Sequence, residues 1–423
     1  MIKFLFKGLM RDKSRSLLPI IVVALGAMIT VFLQSYMSGV MSDSIESSAN
    51  FTTGHVKVMT RVYSENISQL PNDMALIGVD SLMRNLRKQF PEMTWTERIQ
   101  FGGLLDAPDS RGQTRSQGNV TGMGVRLLKS NEEIDRMNLR TNLVSGKFPA
   151  RPGEILLSDQ LFHKMNLRLG DKVTLISSGM YGDMAMYNFY VSGTLHFGIN
   201  VLDRGMIIAD LEDVRTALGM ENATGEILGF FTGKRYEDET AVETSNTFNK
   251  QYAGTKDKFA PVMLPLRDMN NMGFFVAYDN QVQKIIILVF IIAMSIVLWN
   301  AGLIGGLRRY GEFGLRLAIG ESKHEIYRTL VAESLLTGIV GSVIGVAFGL
   351  LISYFMEKYG IDTKEIMKDS TFLLPTVLRS HITVTTYYIG FIPGVFSTVI
   401  GAMLAGIGIY KRQTANLFKE LES

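Results

Sequence analysis

Four stretches of this chain carry no Asp, Glu, Lys or Arg: Ser16–Ser42, Ile285–Leu307, Ser334–Met356 and Ser380–Tyr410. A helix needs roughly 20 apolar residues to cross a ~30 Å hydrocarbon core, and each stretch meets that length with Leu, Ile, Val, Phe, Ala and Gly. Buried helices of a large soluble core rarely run so long without a charged outer face. The pattern predicts four transmembrane helices at 16–42, 285–307, 334–356 and 383–410.

Lys3, Lys7, Arg11, Lys13 and Arg15 precede the first run. The run is too long for a signal-peptide core, and no small-residue cleavage site follows, so a retained anchor is expected behind an amphipathic cytoplasmic helix at 1–15. Basic residues also flank the other spans, with Arg308, Arg309, Arg316, Lys323 and Arg328 in the segment 308–333 and Lys411, Arg412 and Lys419 in the tail 411–423. The positive-inside rule places all three basic segments, and so both termini, in the cytoplasm. The loop 357–382 and the long region 43–284 then lie outside. A net charge of +3 without one basic patch gives no reason to expect nucleic acid. Zero cysteines exclude disulfides and thiol chemistry.

Strand and helix patterns alternate through 43–284, which predicts an α/β domain inserted between the first two helices, hence an α+β membrane protein. Strands are expected at Gly54–Thr60, Met93–Ala107 and Met186–Phe197, and a helix at Val79–Phe90. Gly153–Ser177 reads as strand, helix, a tight turn at Gly170 and Asp171, and strand. Strand and helix follow in Arg204–Gly219, then strand, helix and strand between Glu226 and Leu264. A β-rich insert is expected at about 95–200.

No catalytic constellation is found. There is no G-x-x-x-x-G-K-[ST], so ATP hydrolysis is not expected in this chain. The five histidines, His55, His163, His196, His324 and His381, have no partner at metal-ligand spacing. No carboxylate or ion pair lies in the uncharged runs, which argues against an ion-coupled secondary transporter. Small residues recur every fourth position instead: Thr337, Gly341, Gly345, Gly349 and Ser353 in the third run, Gly390, Gly394, Thr398, Ala402 and Gly406 in the fourth. That spacing keeps them on one helix face, where another helix can approach closely. Val346 is expected to face lipid. Between the second and third runs, Glu312 and Arg316 are spaced to pair on a short helix. Ser322 and Glu325 form an S-x-x-E capping box that opens a helix leading straight into the third span. A force on the short helix would pass into that rod; an interfacial helix resting on lipid headgroups has the same amphipathic pattern.

Glu312–Ser322 (EFGLRLAIGES) followed by Glu325–Ser334 (EIYRTLVAES) resembles the signature of the FtsX-like permease domain found in MacB and in lipoprotein-releasing LolC/LolE-type ABC transporters. Leu5–Phe32 is similar to that family's basic start and first span, and Thr53–Val58 to the opening strand of its outer domain. Pro152–Leu175 and Val191–Gly219 resemble the LolC/LolE-like branch. The tail TANLFKELES departs from the family, which often has a proline before its last short helix. The resemblance implies a non-catalytic permease subunit of the bacterial inner membrane. It implies a homodimer, or a heterodimer with a related permease, that binds a separate cytoplasmic ATPase, which carries ATP and Mg. Glu312, Gly314, Arg316, Ala318, Gly320, Glu321, Ser322 and Glu325 would receive the ATPase, and Gly341, Gly345, Gly349, Gly390, Gly394 and Gly406 would pack helices; no catalytic or metal residue is implied. The expected work is lipoprotein release or export of a hydrophobic substrate, with contacts to lipid and to a lipoprotein or periplasmic protein. MacB-like efflux and FtsX-like control of a cell-wall hydrolase are the alternatives. A four-span receptor would share the topology but needs an output domain beyond the last span.

Overall fold

The computed structural model describes residues 13–109, 111–198, 200–233, 235–270, 272–308, 310–362 and 377–411. The expected helix at 1–15, the middle of the loop 357–382 and nearly all of the tail lie largely outside these residues. Two compact units result, one from residues 13–41, 277–361 and 378–411, the other chiefly from 42–276.

The elements used below, in chain order, are α1 (Lys13–Ser48), β1 (Val56–Thr60), α2 (Val79–Gln89), β2 (Met93–Pro108), β3 (Thr114–Val125), α3 (Glu132–Arg136), β4 (Leu143–Gly146), β5 (Glu154–Ser158), α4 (Asp159–Lys164), β6 (Lys172–Ser178), β7 (Met184–Leu195), β8 (Met206–Asp210), α5 (Leu211–Leu218), β9 (Glu226–Phe231), α6 (Asp238–Lys250), β10 (Pro261–Pro265), α7 (Met272–Arg308), α8 (Tyr310–Ala318), α9 (Lys323–Tyr359) and α10 (Phe391–Lys411).

In the unit of residues 42–276, ten strands join in one sheet of order β10-β1-β9-β2-β3-β8-β5-β7-β4, with β6 bridging β2 and β7. That bridge closes β2, β3, β8, β5, β7 and β6 into a ring, so these six strands form a small barrel without free edges. β2 explains the design. Its odd positions Met93, Trp95, Ile99, Phe101, Leu105 and Ala107 are all buried, the period-2 signature of a strand with one face in a core. Its first half, Met93–Arg98, pairs with β9 in the open part of the sheet, and from Ile99 onward it pairs with β3 in the barrel. Trp95 accordingly belongs to a core shared with α2 and α6, whereas Phe101 and Leu105 fill the barrel. Gly122, opposite Phe101 in the register, leaves room for the ring to lie across it.

The segments expected as strands and helices in this region form those elements, and Gly170 makes its turn at φ +89°. β3 is additional to them: its polar, glycine-rich sequence has poor strand propensity, and pairing along the whole second half of β2 overrides that. Where β2 crosses from sheet to barrel, both of its faces are buried, and Glu97 and Arg98 point to opposite sides. Glu97 is neutralised by Arg126 and Arg215, Arg98 by Glu133. A third buried pair, Lys57–Glu226 at 2.8 Å, lies beside them; burial pushes the Lys57 ammonium below the ordinary lysine range, and Glu226 opposes that shift.

In the other unit, three helices among the described residues are long and apolar enough to cross a membrane, Leu17–Thr53, Lys323–Tyr359 and Val384–Ile407. The apolar part of α7, Ile287–Asn300, is shorter, so three helices of full length and one shorter segment stand beside the four spans expected. Contacts run in register. Gly341 lies against Val23, Gly345 against Ala24 and Ala27, and Gly349 against Val31, with both numberings rising, so α1 and α9 are parallel. Along α10 the order reverses: Gly390 meets Val31 and Val346, Gly394 meets Ser342 and Val23, and Gly406 meets Tyr327 and Leu330. α7 also opposes α1, with Ile287 near Val31 and Leu298 near Val23.

Val346 does not face lipid. It is 6% exposed, clustered with Val31 and Ile389. The reason is that α9 carries two contact stripes about 100° apart: residues 341, 345 and 349 meet α1, and residues 338, 342 and 346 meet α10 and the turn before it.

Candidate coupling site and helix seam

α8 is stitched by the expected pair, Arg316 Nη2 donating to Glu312 Oε1 at 2.9 Å with both side chains about one-third exposed. Such an i,i+4 pair stabilises a helix by only about 0.3–0.5 kcal/mol. The helix stops at Gly320. With φ +99°, Gly320 donates its N–H to the Leu317 carbonyl, while Glu321 donates to the Arg316 carbonyl. These two bonds make a Schellman stop, which needs a residue in the left-handed region and therefore favours glycine.

Two residues later α9 starts. Ser322 Oγ accepts from the Glu325 N–H at 3.2 Å, and the Ser322 N–H donates to Glu325 Oε2 at 3.0 Å, so the expected capping box is present. Loss of a side-chain N-cap costs about 1 kcal/mol. A defined stop followed at once by a defined start makes a joint of fixed geometry, which a flexible linker would not give.

The structure also brings out two residues that the sequence did not single out. Leu315 and Ile319 are 63% and 77% exposed, and with Glu312 and Arg316 they occupy positions i, i+3, i+4 and i+7 of one stripe. An apolar pair four apart beside a charged pair four apart was the available signal. Glu321 is half-buried, and Ala318, Ser322 and Glu325 are exposed. Gly314 lies within α8.

At the seam, a Cβ on Gly345 would run into the Ala24 carbonyl oxygen. One on Gly349 would come within 2.8 Å of Val31 Cβ and 3.0 Å of the Met28 carbonyl. The stripe ends in a buried hydrogen bond between Ser353 Oγ and Ser35 Oγ at 2.5 Å. Among the described residues, no group of three or more His, Asp or Glu side chains could hold a metal ion.

Residues 284–414 match the family of FtsX-like permease C-terminal domains. The lipoprotein-releasing system transmembrane protein LolC of Xylella fastidiosa strain Temecula1 is 24% identical over 244 residues, 55% of this chain and 56% of the relative. LolC of strain 9a5c is 24% identical over 217 residues, 49% and 50% of the two. The chain thus spans about half the length of the curated relatives it matches. Among solved structures, the periplasmic region of MacB from Actinobacillus actinomycetemcomitans aligns at TM-score 0.37 and 13% identity, covering 53% of this chain and 94% of that one. Residues 284–414 thus carry an FtsX-like permease C-terminal domain in a chain with three long apolar helices among its described residues, and about half of the chain is similar to LolC proteins.

Proposed function

We propose that this chain is the permease subunit of an ABC transporter that releases lipoproteins, and that it works by passing cytoplasmic motion to its outer unit. The observation that carries this is the exposed stripe on α8, within the FtsX-like segment and ending three residues before Ser322, the cap of α9. A separate ATPase subunit binds ATP and Mg and docks on Glu312, Leu315, Arg316 and Ile319. Its closure displaces α8. The Gly320–Ser322 joint hands that displacement to α9, and the small-residue seam hands it to α1. The seam suits this role because backbones in contact through glycine cannot slide past each other without clashing.

The domain layout and topology go with this proposal. Four spans, with α1 and α9 running outward and α7 and α10 inward, put both termini and α8 in the cytoplasm and the barrel-bearing unit outside. The permease acts as a dimer with a second copy or a related permease. Lipoprotein as the cargo is supported by the two LolC relatives, which are lipoprotein-releasing proteins by name. Purification of the full chain from its native membrane in mild detergent, with mass spectrometry of the partners, is expected to recover an ATPase subunit bearing a Walker A motif. Recovery of the chain without any ATPase would overturn the proposal and favour a receptor of the same topology.

A further inference from the structure

Where the first long helix ends, its backbone widens into a π-turn, Ala49–Thr53, closed by the Gly54 N–H donating to the Ala49 carbonyl. The last carbonyls of a helix have no partner within it and carry the negative end of its dipole. Here two of them are taken by one side chain. Arg98 Nη2 donates to the Asn50 carbonyl at 2.7 Å and Nη1 to the Phe51 carbonyl at 2.8 Å. The other edge of the same guanidinium, Nε and Nη2, holds Glu133 of α3 at 2.8 and 2.7 Å. Arg98 is 1% exposed and Glu133 2%.

The position of Arg98 in the sheet matters as much as its bonds. It is the last residue of β2 paired with β9, opposite Glu226, and Ile99 is the first paired with β3 in the barrel. The Arg98 carbonyl accepts from Thr224 Oγ1 at 2.8 Å, which fixes its backbone as well. One residue therefore ties the end of α1 to the strand shared by the open sheet and the barrel.

We infer that Arg98 is a positioning residue for coupling: a clamp that makes the outer end of α1 and both halves of the outer sheet move as one body. This rests on the permease assignment above. A guanidinium suits the role because its planar fork engages two carbonyls and a carboxylate at once, which an ammonium on a flexible stem does not. An ordinary solvated cap would slip under load. A fully buried one, paired on its other edge, holds.

The test must separate clamping from folding. Removing only one partner would leave a buried unpaired charge, so the pair Arg98→Met and Glu133→Leu is changed together, replacing the buried ion pair by apolar groups of similar size; Arg136, the second partner of Glu133, is 15% exposed and keeps its contacts with Thr94 and the Phe230 ring. Hydrogen exchange on the full chain is expected to quicken at least about tenfold at the amides of 49–54, the loss of charge-assisted bonds to the turn, while α6 keeps its protection. Because the chain has no native cysteine, spin labels placed through Tyr181→Cys and Val384→Cys, both more than four-fifths exposed, report one distance in the complex with its co-purified ATPase. The otherwise wild-type complex is expected to change that distance between the nucleotide-free and vanadate-trapped states. The double variant is expected to assemble and hydrolyse ATP but to lose the change, and Glu133→Gln, which keeps both carbonyl contacts, to retain it. Arg98→Lys serves if the double variant is not recovered, since one ammonium cannot span both carbonyls; it is expected to reduce the change. A full nucleotide-dependent change in either Arg98 variant would overturn the clamp. No change in the labelled complex with Arg98 intact would count against the permease assignment itself.

Discussion

Arg316→Glu is expected to abolish transport while leaving the chain folded and in the membrane. The decision rests on magnitudes. Within α8 the substitution exchanges an i,i+4 attraction for a repulsion against Glu312, a change of under about 1 kcal/mol. The unit of residues 42–276 folds around its own cores, to which α8 contributes no residue. In an interface with an ATPase, reversing one buried, hydrogen-bonded charge costs about 2–5 kcal/mol, or roughly 30-fold to several thousand-fold in affinity. Complex formation and ATPase rate measured in one preparation distinguish lost docking from docking without coupling, and either supports the assignment. Normal transport by the variant would mean that α8 rests on lipid headgroups.

Gly345→Leu should be the most damaging single change in the membrane part. Its side chain would enter the backbone of α1 at Ala24, and a carbonyl cannot rotate aside as a side chain can. Overpacking of a close-packed interior costs about 1–3 kcal/mol even where neighbours yield, and here α1 and α9 must separate. The seam from Val23 to Ser35 would open along with the Ser353–Ser35 hydrogen bond. Val343→Leu, at a position 52% exposed, is the control and should be tolerated. Thermal unfolding of the full chain in detergent, followed by size-exclusion chromatography, reads both. Equal stability of the two variants would show that the glycine is not needed for the close approach.

Much of this architecture was legible in the sequence because the signals are local. Uncharged runs mark the long helices, the alternation in Met93–Ala107 marks β2, and Ser322 with Glu325 marks the start of α9. What escaped depends on distant partners. β3 has weak strand propensity and exists because β2 pairs with it; the Asp109 side chain, accepting from the Arg111 and Gln113 N–H groups, and Gly112 at φ +78° build the turn that joins them. Arg98 reads as an ordinary charged residue of a half-exposed strand, since nothing local shows that a helix end lies above it. Val346 was misplaced because one four-residue ladder suggests a single contact face, and α9 has two. At the candidate site, the helix joint was readable from capping chemistry. The exposure of Leu315 and Ile319 was not, because apolar residues at helical spacing read as core unless the packing partner is known to be missing.

The most direct measurement of whether α8 receives an ATPase uses the absence of native cysteine. A photo-crosslinker attached through Ile319→Cys, on a side chain that is 77% exposed, can be activated in native membranes. Coupling through α8 predicts a covalent adduct with a Walker A ATPase, diminished when Arg316→Glu is added. Labelling confined to lipid or to other copies of this chain, with no ATPase adduct, would contradict it.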